Sequence, residues 1–232
     1  MKTPDFPGFP VVDYHVHLSD DLTIETALRL ADDRGMTFGI VQHPGPTYGI
    51  ESDTDLHRYA ERLRGYPVYV GLQPTHLGWA EAFNGEALDA LDYVLMDADT
   101  LPWEGGYLYL WLHDNFIEEM DTFVARYMEH IVAILSEEPI DIFGRPTFLP
   151  INFARHYDEI WTEARMRKII DLAVSRGIAL EIAENVRVPS VEFVRMAKDA
   201  GAKFTFGTNG RNRNAGNFNY CFKVAAEADL AA

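Results

Sequence analysis

Two histidines one residue apart, His15 and His17, open the chemistry of this chain. On a strand, residues i and i+2 point to the same face, so the two imidazoles stand side by side and can share one ion. Neutral imidazole ligates zinc, iron and other transition metals. The competing reading is a hydrogen-bonded pair of core histidines. Asp13, two residues earlier, is of the type that orients a ligating histidine from behind. His43 ends another apolar run, directly before Pro44-Gly45, where it reads as a third ligand or as a loop cap. Asp99 follows Tyr93-Val94-Leu95-Met96 and offers a hard oxygen, although aspartate in a turn commonly serves the backbone.

These residues need a frame that brings them together. Short apolar runs and amphipathic segments alternate along the chain. Strands are expected from Val11 to His17, Phe38 to Gln42, Val68 to Leu72, Tyr93 to Met96, Ile140 to Phe143, Ile178 to Ile182 and Lys203 to Phe206. Helices are expected from Thr23 to Arg34, Asp53 to Leu63, Glu86 to Leu91, Ile117 to Ser136, Glu163 to Arg176, Ser190 to Ala200 and Phe218 to Asp229. Regular alternation implies a parallel sheet, and this many units favours closure into an α/β barrel over an open sheet. One domain spanning 1–232 is expected. His15, His17, His43, Gln73, Asp99, Arg145, Glu181 and Asn209 all fall at the carboxyl ends of strands, which share the rim where barrel active sites lie. The stretch from Thr100 to Phe116 reads as an irregular aromatic-rich loop. Its Trp103, Tyr107, Tyr109 and Trp111, with Trp79, suit a lid over the site or a contact between subunits.

Composition excludes several classes. The formal charge is -16 and no Lys/Arg run appears, so nucleic acid and anionic membranes are not expected partners. The chain has a single cysteine, Cys221, best read as core, so no intrachain disulfide can form. No window is apolar enough to span a membrane, and Met1 to Asp5 opens no signal-like run; a cytoplasmic location is the expectation. Neither a phosphate-cradling glycine loop nor a nucleophile elbow is present. His57, His130 and His156 read as structural or exposed, while His76 and His113 sit in loops on the active side as bystanders.

The chain resembles the PHP domain (polymerase and histidinol phosphatase), within the wider set of amidohydrolase-like barrels. The resemblance runs from Asp13-Tyr14-His15-Val16-His17 through Ile40-Val41-Gln42-His43, Val70-Gly71-Leu72-Gln73, Leu91 to Asp99, Ile140 to Pro146 and Ala179-Leu180-Glu181-Ile182 to Phe206-Gly207-Thr208-Asn209-Gly210-Arg211. It implies a distorted seven-stranded (β/α)7 TIM-like barrel, up to three metal ions (zinc, manganese or iron) and hydrolysis of phosphate esters. Where the family's motifs carry Glu, His, His, Asp and His, this chain has Gln73, Asp99, Arg145, Asn209 and Arg211. Arginine offers no lone pair to a metal. The resemblance therefore implies one divalent ion rather than three, or none, on His15, His17, His43, Asp99 and Asn209. Gln73, Arg145 and Arg211 then face a small anionic, phosphate-containing substrate as the residues acting on it. Guanidinium forks suit such a group, although a structural salt bridge from Arg145 to Glu181 or Asp99 competes. Three functions stay open: a metal-dependent phosphoesterase, a catalytically degenerate barrel that binds an anion without metal, and an amide or lactone hydrolase. Oligomeric state is left open.

Overall fold

A computed structural model of the chain describes residues 10–115 and 117–230. Met1 to Asp5 and Phe116, which entered the reading above, lie outside the described residues. Along the chain come β1 (Val12–Val16), α1 (Ile24–Arg34), β2 (Thr37–Gln42), α2 (Asp53–Arg64), β3 (Tyr69–Leu72), α3 (Gly85–Leu88) and β4 (Tyr93–Asp97). Then follow β5 (Thr100–Trp103), β6 (Gly106–Tyr109), α4 (Met120–Glu137), β7 (Ile142–Gly144), α5 (Tyr157–Ile160), α6 (Glu163–Arg176), β8 (Ala179–Ala183), α7 (Val191–Asp199), β9 (Phe204–Gly207) and α8 (Tyr220–Glu227).

Seven strands form a closed parallel barrel in the order β1-β2-β3-β4-β7-β8-β9. Asp13 on β1 sits opposite Phe206 on β9 and closes it. The α/β barrel expected from the alternating pattern is the fold observed. Local signals set its helices. Thr23, Ser52, Thr162 and Ser190 each accept, through the side chain, a backbone N–H three residues on, so α1, α2, α6 and α7 start where the sequence has a capping hydroxyl. α4 lacks such a cap and begins at Met120, three residues later than its apolar pattern suggests. Among the described residues no helix is long and apolar enough to cross a membrane.

The segment expected to be an irregular loop differs. It opens with an antiparallel hairpin, β5 paired with β6, in the register Thr100 opposite Tyr109 and Trp103 opposite Gly106. Glu104 and Gly105 turn the chain with φ of 48° and 81°, the two positive angles of a tight hairpin turn whose twist matches its strands. The Arg126 guanidinium on α4 lies 4.6 Å from the Trp103 ring centroid and ties the hairpin to the barrel.

Strand alternation layers the barrel interior. Val41, Tyr93, Leu95, Ile142 and Ala179 pack together as a small apolar cluster separate from the larger core between strands and helices. Two residues further along the same strands, on the same faces, stand His43, Asp97 and Glu181. The apolar layer is thus the floor on which a polar layer rests. Tyr93 dominates that floor. Its ring lies across β2 and β3 where both have glycine, and its hydroxyl donates to the Tyr14 carbonyl at 2.7 Å. A Cβ on Gly71 would meet two Tyr93 ring carbons at 2.7 Å, too close for any real contact.

Gly71→Ala is therefore expected to destabilise the fold by about 1–3 kcal/mol, the usual cost of overpacking a filled core. Urea unfolding checks it, with a lowered midpoint and an unchanged slope; an unmoved midpoint would show that Tyr93 can swing aside.

Candidate functional site

The polar layer is built around one hydrogen-bonded chain. His15 is buried, with Nδ1 at 2.7 Å from Glu181 Oε1 and Nε2 at 3.1 Å from Gln73 Oε1. Gln73 Nε2 donates to Asp97 Oδ2 at 2.8 Å. Arg145 Nη2 donates to the same Asp97 oxygen at 2.5 Å, and Arg145 Nη1 forms an ion pair with Asp99 Oδ2 at 2.9 Å. The Arg145 backbone N–H donates to Glu181 Oε2 at 2.9 Å, which ties the chain's two ends together. Arg145 reaches all three carboxylates because its φ of 47° turns β7 sharply just after Gly144.

Room for this cluster comes from glycine. A Cβ on Gly144 would press on Asp97 and on Glu181 Oε2 at 3.3 Å each, and one on Gly207 would overlap the Glu181 carboxylate. The His15-x-His17 segment is held from its other side by backbone pairing. His17 N–H donates to the Gly210 carbonyl at 2.8 Å, and Gly210 N–H to the His15 carbonyl at 3.0 Å.

Asp13 does not orient a histidine ring. Its carboxylate accepts from the backbone N–H of His15, Thr208 and Gly216 and from the Thr208 hydroxyl, so it fastens β1 to the loop after β9. Burial raises its pKa to about 6, with those four donors working against the rise. Asp97, given no role in the sequence reading, is central. The alternation of Tyr93, Leu95 and Asp97 on one face was the signal that placed it there. Glu181 carried the same signal through Ala179.

His17 and His43 form a second, looser group. His17 is buried and neither ring nitrogen has a hydrogen-bond partner. Its ring stacks on His43 at 5.0 Å between centroids and lies 5.5 Å from His15. His43 Nδ1 bonds the Gln73 carbonyl at 2.8 Å, which makes Nδ1 the donor and leaves the lone pair on Nε2. Burial holds His17 well below the ordinary histidine value, with the His15 and Arg211 charges adding to it. Burial also lowers His43, against the pull of its bond to Gln73. Both are neutral at pH 7. Asn209 sits at φ 48° with a buried Oδ1 that finds no partner, and Arg211 is exposed on the rim.

A cavity of about 650 Å³ opens over these groups. Gln73, Asp97 and Arg145 line it together with His43, Asn209 and Arg211, and Tyr48, Tyr109, Trp111 and Phe148 supply aromatic walls. The hairpin β5–β6 thus contributes Tyr109 to the site, and His76 lines it with its ring edge-on to Tyr107. Of the residues expected at the rim, the cavity brings together His43, Gln73, Arg145, Asn209 and Arg211. His15, His17 and Asp99 lie buried beside or beneath them.

A multinuclear metal centre does not fit these donors. Because the Asp97 carboxylate only accepts, the Gln73 amide nitrogen faces it and the amide oxygen faces His15 Nε2. Both His15 ring nitrogens are thus engaged inside the cluster, by Glu181 and by Gln73. Burial pushes Asp97 up, but the Arg145 charge, the Arg145 hydrogen bond and the Asp99 backbone N–H together outweigh it and keep the carboxyl below its ordinary value. Burial pushes Asp99 well above its ordinary value, against the pull of Arg145. Among the described residues no three His, Cys, Asp or Glu side chains converge on a point that would hold an ion. Among the described rim residues, His17, His43 and Asn209 keep unpartnered acceptor atoms.

Neither a family model nor a curated protein matches this sequence. Among solved structures, histidinol phosphate phosphatase from Lactococcus lactis, complexed with zinc, L-histidinol and phosphate, is similar with a TM-score of 0.68 and 16% identity. The alignment covers 96% of this chain and 94% of that one. The fold is therefore PHP-like. The Bacillus subtilis YkuI protein, with an EAL domain, aligns at a TM-score of 0.40 and 14% identity over 90% of this chain and 47% of its own. Yersinia pestis dihydropteroate synthase aligns at 0.37 and 11% identity over 96% and 91%.

Behind the cluster, on α4, His130 is buried and its pKa is pushed down to about 4, with Asp97 working the other way. An unfolded histidine titrates near 6.5, so between about pH 6.5 and 4 the unfolded chain takes up a proton that the folded chain refuses. Folding stability is lost through this residue as pH falls across that window, by about 1.4 kcal/mol per unit. His130→Leu is expected to remove that slope. Urea unfolding of parent and variant at several pH values between 7.5 and 4.5 measures the difference; parallel curves would refute it.

Proposed function

We propose that this PHP-like barrel binds a small phosphate-bearing organic ligand in the cavity at its mouth, without a multinuclear metal centre. Arg211 carries the reading: it lines the cavity and makes no side-chain ion pair among the described residues, whereas Arg145 beneath it is spent on Asp97 and Asp99. A free guanidinium at a cavity rim is suited to a phosphoryl group. Asn209 stands beside it, and the Tyr48, Tyr109 and Trp111 rings give an organic moiety flat surfaces to lie on. The solved neighbour holding L-histidinol and phosphate supports a ligand of this class. In this reading Gln73 and Arg145 shape the floor and Arg211 orients the anion.

A second reading, hydrolysis assisted by a single ion on His17 and His43, is favoured by one observation. His17 has two buried ring nitrogens with no partner, an arrangement that usually calls for one.

Isothermal titration with inorganic phosphate and an aryl phosphomonoester tests the first reading. Both are expected to bind equally well with and without chelator. Arg211→Ala is expected to weaken them about tenfold or more, the worth of one charge-assisted hydrogen bond. Undiminished affinity in that variant overturns the reading. Release of phosphate that needs added manganese or zinc, and is lost in His17→Ala, decides for the second.

A further inference from the structure

We propose that the Arg145 guanidinium is a built-in cation at the centre of the barrel mouth, taking the charge-neutralising place of a divalent ion among Asp97, Asp99 and Glu181. The inference goes beyond ligand binding and stands independently of it.

Three carboxylates lie in this one region, each almost wholly shielded from water. Desolvated carboxylates are strongly unfavourable unless a positive group stands between them. A divalent ion is one solution. The arrangement here is another: one fork arm on Asp97 at 2.5 Å, the other on Asp99 at 2.9 Å and the backbone N–H of the same residue on Glu181 at 2.9 Å. The Phe148 ring covers the guanidinium from outside, 5.9 Å from centroid to Cζ. Arg145 holds a left-handed backbone angle that few non-glycine residues adopt, and that angle lets one residue serve both Glu181 and the aspartates.

The His15 geometry agrees. Both of its ring nitrogens are taken up within the cluster, Nδ1 by Glu181 and Nε2 by Gln73. A similar barrel of matching length holds zinc. A guanidinium is permanently charged and permanently attached, so the neutralising cation here cannot be stripped by a chelator or exchanged. It also offers no open coordination position.

The test removes the charge and asks whether a metal takes its place. Arg145→Gln, Arg145→Lys and the parent protein are titrated with Mn²⁺ and with Zn²⁺, and bound ion is counted against the parent. Arg145→Gln is expected to gain one ion per chain and to melt about 5–10 °C higher at a hundredfold excess of metal over Kd. Arg145→Lys keeps the charge and is expected to gain none. The added Asp97→Asn change is expected to abolish the gain. A folded Arg145→Gln that gains no ion overturns the proposal, as does an equal gain in Arg145→Lys. If Arg145→Gln does not fold alone, it is refolded with each metal: recovery by Mn²⁺ or Zn²⁺ supports the proposal, and failure of both overturns it.

Discussion

Asp97, Asp99 and Glu181 are carboxylates that the barrel has sealed from water, and the Arg145 guanidinium and the His15 ring are what make that tolerable. Burying an unpaired carboxylate costs several kcal/mol, a large share of the whole stability of an ordinary domain. Every neighbouring choice follows from it. Gly207 is glycine because the Glu181 carboxylate occupies the space a Cβ would take, and a Cβ on Gly144 would crowd Leu95, Asp97 and Glu181. Arg145 accepts an unfavourable φ because only that angle brings its backbone N–H to one carboxylate and its fork to two others. Gln73 is neutral because it must donate to Asp97 and accept from His15 with one side chain; a glutamate there would set a fourth buried negative charge against Asp97.

The polar layer also needs a firm base. Tyr93 supplies one by filling the barrel below Asp97, with Gly39 and Gly71 giving way to its ring and Tyr14 accepting from its hydroxyl. Two layers of one strand thus do opposite work: Tyr93 and Leu95 exclude water, and Asp97 binds partners. Asp13 performs a third task from β1, holding the loop that carries Asn209 and Arg211 against the mouth. The residues that face a ligand and the residues that fix their positions are bound into one closed network.

The sequence made the barrel legible because two periodicities and the capping hydroxyls agreed with one another. Glu163–Arg176 was readable to the residue, since Thr162 and Gly177 mark its ends. Strand ends marked His43, Gln73, Arg145 and Asn209, which line one cavity, and the family resemblance added Arg211. The hairpin β5–β6 was not, because Glu104 is a rare occupant of a left-handed turn position and Asn-Gly-type signals were absent. Asp97 was passed over and Asp13 misread for a common reason. Residue type states what a carboxylate can accept, not which donors the chain folds against it. Asp13 resembled a histidine partner but found backbone N–H groups first. The expectation of a metal on His15 depended on a free lone pair, and that property belongs to Gln73 and Glu181 as much as to the histidine.

The formal charge of -16 on the chain is compatible with the anion site proposed above. Exposed charges farther than about 8 Å are largely screened at physiological salt, so most of that surface charge acts weakly on the cavity. What acts strongly is what is near and shielded. There Arg145 pairs with Asp97 and Asp99, and burial holds Asp99 toward its neutral form. Both effects lower the charge of the floor, and Arg211 above it makes no side-chain ion pair among the described residues. Local balance at the floor is what permits a single rim arginine to set the sign of the site.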